Sequence, residues 1–485
     1  MGFWKDTINY FKNLFVRSYD AAKNNGANKL YRPHQASGQQ EISTAWQDVT
    51  NVIRDLDRNN SHVAGMRRRF TWGLIGEGNW PRPKILKKKA ANRFDFDKEL
   101  NFEILQRWED WSKHASANGD SIYQLQRIAA NSFFIDGGIL IHKVYKKGKL
   151  RLEAIELDQL DNSYDYDSGQ GSRIVDGIEV DEYNEPIAYY IRKRFPTEIS
   201  SKTVRVSAKD ILNLFDRERA SSVRGISRLA PSAMNMKNIN SFRSDTMTLA
   251  RTATGYGIFI ETPNPEDYFD QSASHDEDID YIDPGAVRYL RPGEKASVVN
   301  SQHPATNYTD FIKSELQSAS VGTGMSYESV SNDGSNTNFS GSRQMLLFER
   351  AMIRATFAIF EEQFYSGIYE WFIDNEVYFN GLRMPNYEAE KSRYLRCSWS
   401  RPKTEWVDPL KDAKTAREEI DMGANTLTEF CEVNGKDIEE IVATKKYEKE
   451  LFENAGLNVP ETITGDSKGD DENAENDKGN NSDKG

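Results

Sequence analysis

The stretch Met325–Arg350, MSYESVSNDGSNTNFSGSRQMLLFER, organises the rest of the chain. At its centre is a polar loop carrying Asn332, Asp333, Gly334, Asn336, Asn338, Ser340, Gly341 and Ser342 between two helical patterns. Asn, Asp and Ser side chains bond to nearby backbone and Gly tolerates positive φ, so this composition is loop chemistry. The polar run ends at Arg343, where a long amphipathic pattern begins, and Ser340 or Ser342 is placed to cap its first turn. By composition alone the segment fits an ordinary exposed connection between two core helices as well as a functional loop. Long loops inside compact chains are mostly functional or unstructured, which keeps the second reading open.

Composition bounds the rest. The chain has 485 residues, 63 Lys and Arg against 75 Asp and Glu, and a formal charge of -12. Its mean hydropathy is -0.73, and 11% of residues are aromatic, enough to build cores. Net acidity disfavours tight non-specific DNA binding, which needs clustered Lys and Arg on phosphate. Two cysteines, Cys397 and Cys431, make no disulfide framework, so a reducing compartment is expected. No apolar run of ~18 residues and no signal-peptide pattern is present, so no membrane partner is expected.

Residues 3–17 place Phe3/Trp4, Ile8, Phe11 and Leu14/Phe15 at helical spacing. Such a helix docks on a neighbouring subunit or partner, or lies on a membrane surface. Residues 24–40 read as a polar linker. Residues 41–75 read as helical, with Val49, Val52, Ile53 and Leu56 on one stripe, then Val63 and Met66; Arg54, Arg58, Arg67, Arg68 and Arg69 make a solvated or ion-paired face. Helical spacing returns over 96–111 and 122–134. A small antiparallel sheet is expected from the alternation at 149–155 and 173–180, the turn within 134–141, and the turn Tyr183–Pro186 before Ile187–Ile191. Pro231 opens a polar helix to about Thr254, ~36 Å long. Its polarity fits a surface helix or one lining a wet channel. Strands are expected at 256–261, 287–290 and 296–299, and a second helix carries Tyr308, Phe311, Ile312, Leu316 and Ala319. After the loop, Met345, Phe348, Met352, Ala355 and Ile359 lead through Phe360, Phe364, Ile368 and Phe372 as one helix of ~45 Å packed on both sides. Residues 378–400 read as strand-like and turn-rich, 410–456 as two or three charged helices, and 461–485 as a disordered acidic tail.

Chemistry is hard to find. Gly148-Lys149 is followed by Leu150 and Gly435-Lys436 by Asp437, so neither is a nucleotide-binding P-loop. Gly76-Glu77-Gly78 lacks the third glycine of a dinucleotide site. Asp276, Asp278 and Asp280 are spaced like calcium ligands, but Tyr281 replaces the required Gly and Val287 the bidentate Glu. The six histidines are scattered. No catalytic, cofactor-binding or metal-binding residue is assigned, and the chain reads as a non-enzyme.

Tyr327-Glu328, Asp333, Asn338-Phe339-Ser340 and Ser342-Arg343 together resemble the lambda-type bacteriophage portal proteins, with Gly341 where that family usually has a second Ser. Further strings match in order: Arg58-Asn59-Asn60, Gly76-Glu77-Gly78, Asp176-Gly177-Ile178-Glu179, Pro186-Ile187-Ala188-Tyr189, Ala208-Lys209-Asp210-Ile211-Leu212 and Arg224-Gly225-Ile226-Ser227. Trp406, Asp408-Pro409, Gly423, Gly435-Lys436-Asp437 and Glu448 continue the likeness. The resemblance implies an α+β portal-type subunit with wing, stem, clip and helical crown regions, assembling into a ring of about twelve. Residues 1–230 and 344–400 would be wing, 231–254 and 306–322 stem helices, 255–305 clip, 323–343 tunnel loop and 401–460 crown. It implies a virion protein at one capsid vertex, assembled in the host bacterial cytoplasm. Double-stranded DNA would pass through it, and terminase, a capsid or scaffold protein, and a head-completion or adaptor protein would dock on it. The tunnel-loop residues would be Asn332, Asp333, Asn336, Asn338, Ser340, Ser342 and Arg343, with Lys237, Asn240 and Arg243 lining the channel. The alternatives are a capsid-associated or scaffold-binding protein that never contacts DNA, and a nucleic-acid enzyme.

Overall fold

Asn60 shows how the first helices are cut and joined. In a computed structural model of the chain, α1 (Gly38–Asn59) starts behind Ser37, whose hydroxyl accepts from the Gln40 N–H while the Gln40 side chain accepts from the Ser37 N–H. That capping box satisfies two otherwise orphaned donors and starts the helix three residues before the expected position. At Asn60 the backbone turns extended, and the Asn60 side-chain oxygen Oδ1 accepts from the N–H groups of His62 (2.9 Å) and Val63 (3.2 Å). The residue therefore ends one helix and caps the next, α2 (Ser61–Ile75), where the sequence pattern suggested a single run. Trp46, Thr50, Ile53 and Leu56 form the buried face of α1, and Val52 points outward instead of joining the stripe.

The structure describes residues 35–88, 94–163, 166–167, 171–193, 202–254, 258–261, 295–298, 308–335, 339–402, 409–434 and 438–454. The expected N-terminal helix 3–17, the calcium-like acidic run, the strand at 287–290 and the acidic tail all lie outside these residues. The described chain divides into two units, and passes between them at 75–76, 82–83 and 397–398.

After β1 (Pro81–Pro83), which runs through the passage at 82–83, come β2 (Leu86–Lys88) and β3 (Phe94–Phe96), which pair with each other, then α3 (Lys98–Ser112) and α4 (Ile122–Ile135). Helix α4 continues through Phe134 and Ile135, which the sequence placed in a β-rich turn; the turn is Gly137, at φ +85. Strands β4 (Gly138–Lys146) and β5 (Lys149–Ile155) follow as a hairpin, then β6 (Tyr166–Asp167), β7 (Arg173–Val175), β8 (Ile178–Val180), β9 (Pro186–Arg192), β10 (Thr203–Ser207) and β11 (Ile211–Phe215). They form one sheet ordered β11-β4-β5 and another ordered β10-β9-β8-β7-β6. In the larger unit the strand ladders β2–β3, β4–β5, β4–β11 and those from β6 to β10 are antiparallel. Two hairpins close on two-residue turns, Lys147-Gly148 and Asp176-Gly177, with positive φ at both residues of each. That is the turn geometry that matches strand twist, and it splits the alternation at 173–180 into two strands.

Between the sheets and α1 lies a core of Trp46, Leu140, Ile155, Leu157, Leu160, Ile178, Val180, Tyr189, Ile191, Ile211 and Val223. Arg54 pairs with Asp136 (2.7 Å) and Asp158, and Trp46 donates its indole N–H to the Asp136 carbonyl (3.2 Å). The Arg224 guanidinium lies 3.9 Å over the Trp46 ring, buried, and desolvation pushes its pKa down to about 10. The ion-paired reading of the arginine face holds for Arg54, for Arg67 on Asp57 (2.8 Å) and for Arg58 near Asp55 (3.7 Å). Gly137 and Gly225 let two backbones touch: a Cβ on Gly225 would sit 2.0 Å from the Gly137 carbonyl oxygen.

Next come α5 (Ala233–Thr254), β12 (Ile258–Glu261), β13 (Lys295–Val298), α6 (Tyr308–Thr323), α7 (Tyr327–Ser331) and α8 (Phe339–Phe360). Strands β12 and β13 pair, Ile258 opposite Val298. Helix α8 runs without a break through a widened turn, Glu361–Tyr365, into α9 (Ser366–Phe379). The extra residue in that turn re-aims the helix, so that Phe360, Phe364, Tyr365, Ile368 and Phe372 all stay buried. Phe360 meets Phe133 at 5.2 Å, and Phe70 stacks on Phe134 at 4.8 Å. The expectation that the whole helix packs on both sides is corrected: Met345 and Phe348 are exposed, and full burial begins at Thr356 and Phe357. Residues 378–400 hold turns, α10 (Lys391–Tyr394) and a single short strand, β14 (Cys397–Trp399), with Tyr378 and Phe379 still helical.

The smaller unit contains residues 76–82 and those from 398 onward. Trp80 and Ser400 exchange two hydrogen bonds, 2.7 and 2.9 Å. Three charged helices follow, α11 (Pro409–Asp421), α12 (Leu427–Val433) and α13 (Ile438–Asn454), as the sequence indicated. Thr426 and Glu429 form a reciprocal cap at the start of α12.

Asp161 ties the five-stranded sheet together. Arg192, Ser163 and Thr203 all donate to its carboxylate, and its N–H reaches the Tyr190 carbonyl at 2.9 Å. Burial alone would raise its pKa; the hydrogen bonds from Arg192, Ser163 and Thr203 outweigh that and hold the carboxyl well below the usual carboxylate range. A depressed folded-state pKa gives stability that is present above the ordinary carboxylate pKa, ~3.9, and is lost as pH falls through the folded value. Asp161→Asn is expected to cost about 1.5–3 kcal/mol at pH 7, with the gap to wild type closing below about pH 4. Urea unfolding at pH 7 and pH 3 checks this, and a gap that widens on acidification contradicts it.

Candidate functional site: a helical hairpin and the loop beyond it

Helices α5 and α6 pack as a pair whose base is buried and whose far end is wet. At the base, Ala233, Met236, Ile239, Leu316, Ala319 and Thr323 are buried. Ser232 donates to the Ala319 carbonyl at 3.2 Å, and a Cβ on Gly322 would lie 2.3 Å from the Ser232 hydroxyl, so the Ser232 side chain packs directly against the glycine. One turn up, Asn235 donates to Glu315 (2.9 Å). Further along, Phe242 stacks on Tyr308 (5.6 Å) and meets Phe311 in a tilted contact (4.4 Å). From Phe242 to Arg251 no residue of α5 is buried, and Met247 and Leu249 are more than half exposed.

Of the proposed channel residues, Lys237 and Arg243 are exposed. Asn240 is engaged within the chain: its carbonyl accepts from Asn60 Nδ2 at 3.0 Å, and the same amide reaches the Met236 carbonyl at 3.3 Å. Asn60 thus fastens the corner of α1 and α2 to the hairpin.

The loop has a firm entry. Gly324, at φ +73, ends α6, and Ser326 caps α7 by accepting from the Ser329 N–H at 3.1 Å. Ser326 and Ser329 both donate to one carboxylate oxygen of Glu349 on α8, at 3.1 and 2.7 Å. From the other side, the His62 ring lies 3.2 Å from the Val330 carbonyl, and Arg69 donates to the Asn332 side-chain carbonyl at 2.6 Å. Asn332 closes α7 in the left-handed conformation, φ 59 and ψ 28, its N–H on the Glu328 carbonyl at 2.8 Å. Asp333 accepts from the Ser335 hydroxyl (2.6 Å) and N–H (3.0 Å), which hold its pKa below the ordinary value and keep it ionised.

The rest of the loop differs from expectation. Asn336 and Asn338 lie outside the described residues. Helix α8 begins at Phe339, so Ser340 and Ser342 sit inside its first turn rather than capping a helix that starts at Arg343. Small polar residues are weak helix formers but cost only a few tenths of a kcal/mol each, which a long helix tolerates. Arg343 is half-buried on the same turn. Sequence reasoning missed His62, Arg69, Ser326, Ser329 and Glu349. Ser326 had a usable signal, a capping residue directly before a helical start. His62 and Arg69 sit more than 260 residues away in sequence, and only the fold brings them to the loop.

A family model for phage portal proteins of the lambda family matches residues 24–356. The chain belongs to the lambda family of phage portal proteins. It is 22% identical over 465 residues to a probable portal protein of Halomonas phage phiHAP-1, covering 89% of this chain and 89% of that one. Over 179 residues it is 23% identical to portal protein B of Escherichia phage lambda, covering 36% of this chain and 34% of the relative. Among solved structures, a chain from the neck of a native gene transfer agent particle is similar at 11% identity and a TM-score of 0.47, covering 82% of this chain and 98% of that chain. Among the described residues no group of three or more His, Cys, Asp or Glu is arranged to hold a metal ion, and no helix is long and apolar enough to cross a membrane.

Glu349→Ala removes the acceptor of two hydrogen bonds to a charged group. Hydrogen exchange of the amides from Ser329 to Asn332 is expected to rise roughly 10–100-fold, with global unfolding little changed. Unchanged protection of those amides contradicts the latch.

Proposed function

We propose that this portal-family chain is the subunit of a ring of about twelve copies at one capsid vertex, the channel through which a phage genome is packaged and ejected. The observation that carries this is the family match over residues 24–356, supported by likeness to a probable portal protein along 89% of the chain. In that assembly α5 and α6 are the stem around the channel, and residues 255–305 are the clip. The stretch from Gly324 to 338 is the tunnel loop, five residues shorter at its end than the sequence pattern indicated. Residues 1–230 and 344–400 make the wing, and 401–460 the crown. The clip is the docking site for terminase during packaging and for a head-completion or adaptor protein afterwards; a capsid or scaffold protein meets the wing.

The hairpin's physical character supports this role. An α-helix whose outer half keeps no buried face is suited to a wet channel and to lateral neighbours. Lys237 and Arg243 are the exposed candidates to face DNA. Each Lys or Arg contact to phosphate adds salt-dependent affinity. A duplex that must slide is best served by few such contacts, which fits a chain of net charge -12. The latched entry of the loop gives a fixed base from which its tip reaches inward, with Asp333 as a permanent negative charge near that base.

Removing residues 333–338 and joining Asn332 to Phe339 through a single glycine tests the loop. Rings are expected to form normally while packaged DNA is retained at a small fraction of the wild-type level. DNA retention at wild-type level, or a chain that no longer folds, contradicts the loop's role in the channel.

A further inference from the structure

Helix α8 carries Met345, Leu346, Leu347 and Phe348 in succession, and their exposures are 47%, 36%, 50% and 62%. With 3.6 residues per turn, four successive side chains point around almost the whole circumference of the helix. A helix that is apolar all round is a buried helix, and four exposed apolar residues in a row are a fault unless something covers them. The chain's own core takes over only from Thr356 and Phe357. A second apolar exposure lies on different elements of the same unit, at the hairpin base: Met234 on α5 and Val321 on α6, at 59% and 84%.

We propose that Met345–Phe348 is a belt between subunits, covered by the neighbouring copies of this chain, with the Met234/Val321 surface of one neighbour as its seat. The inference rests on the ring assembly proposed above and names where its contacts lie. Two features select a second copy as the occupant. The ridge is apolar on all sides, so it needs cover from more than one direction, and a closed ring gives each helix a like neighbour on both sides. A single partner protein docking from outside covers one face. In addition, ridge and seat are different surfaces of one chain, which is what a head-to-tail contact requires. Four side chains supply only part of the ~800 Å² per partner of a standard interface, so the Met234/Val321 seat extends it.

The test uses full-length Phe348→Glu and Val321→Glu chains beside wild type, with particle mass measured by mass photometry and folding by circular dichroism. Wild type is expected to form rings, and each variant alone to remain a folded subunit. An equal mixture of the two variants should stop at pairs, since one intact ridge then meets one intact seat. Rings from Phe348→Glu at the wild-type concentration overturn the proposal and leave the portal reading standing. So does a Phe348→Glu chain that fails to fold, because the ridge then serves the chain's own core. Loss of rings in Phe348→Glu together with loss in a chain lacking residues 1–34, but not in Val321→Glu, assigns the cover to the N-terminal segment and overturns the seat. A wild-type chain that never forms rings removes both the reading and the belt.

Discussion

The larger unit depends on how Arg54 and Trp46 of the first described helix are locked beneath the sheets. Arg54 is held by Asp136 at the end of α4 and by Asp158 after β5, while the Trp46 indole donates to the Asp136 carbonyl and carries the Arg224 guanidinium on its face. One helix thereby fixes the end of another helix, the exit of a strand hairpin and the segment leading to the hairpin helices. These charges are partly buried, so the geometry is demanding. Removing one partner leaves an uncompensated charge away from water, which is far costlier than loss of an exposed pair. Asp136 itself illustrates the balance: burial raises its pKa, and Arg54 pulls it back.

From that hub the structure passes rigidity outward to the place where function is proposed. Asn60 connects the α1–α2 corner to α5, and His62 and Arg69 of α2 reach the far side of the loop base. Glu349 holds the near side. The loop is thus carried on packed helices, and residues on either side of it answer to the same core. Sites placed on rigid elements are held more precisely than sites on loops alone, and a channel constriction repeated around a ring needs each copy to present it alike.

Much of the element content was legible in the sequence. The hairpin helices, the three C-terminal helices, the β4–β5 and β8–β9 regions and the buried run from Phe360 to Phe372 all follow from apolar spacing and turn residues. The departures have physical causes. Asn60 splits 41–75 because its side chain caps the following turn, a choice that periodicity does not register. Helix α8 starts at Phe339 since local Ser and Gly preferences are weak against a long helix. Met345 and Phe348 look like core in the sequence and are exposed in the single chain; helical spacing reports that a face is to be buried, not by which molecule. The loop latch was invisible because its parts are hundreds of residues apart. Family membership was legible through many short strings in order, none of which says on its own what the residues do.

We propose that this portal-family chain closes into a ring with α5 and α6 around the channel and the loop after Asn332 at its narrowest point. An image reconstruction of the purified full-length protein, at a resolution that traces helices, tests it most directly. The expected result is a ring of about twelve subunits in which Lys237 and Arg243 face the central opening, the tips of residues 333–338 ring its constriction, and Met345–Phe348 is buried between neighbours. A ring with the α5–α6 hairpin on its outer rim, or a chain that remains a single subunit when its capsid partners are present, would contradict it.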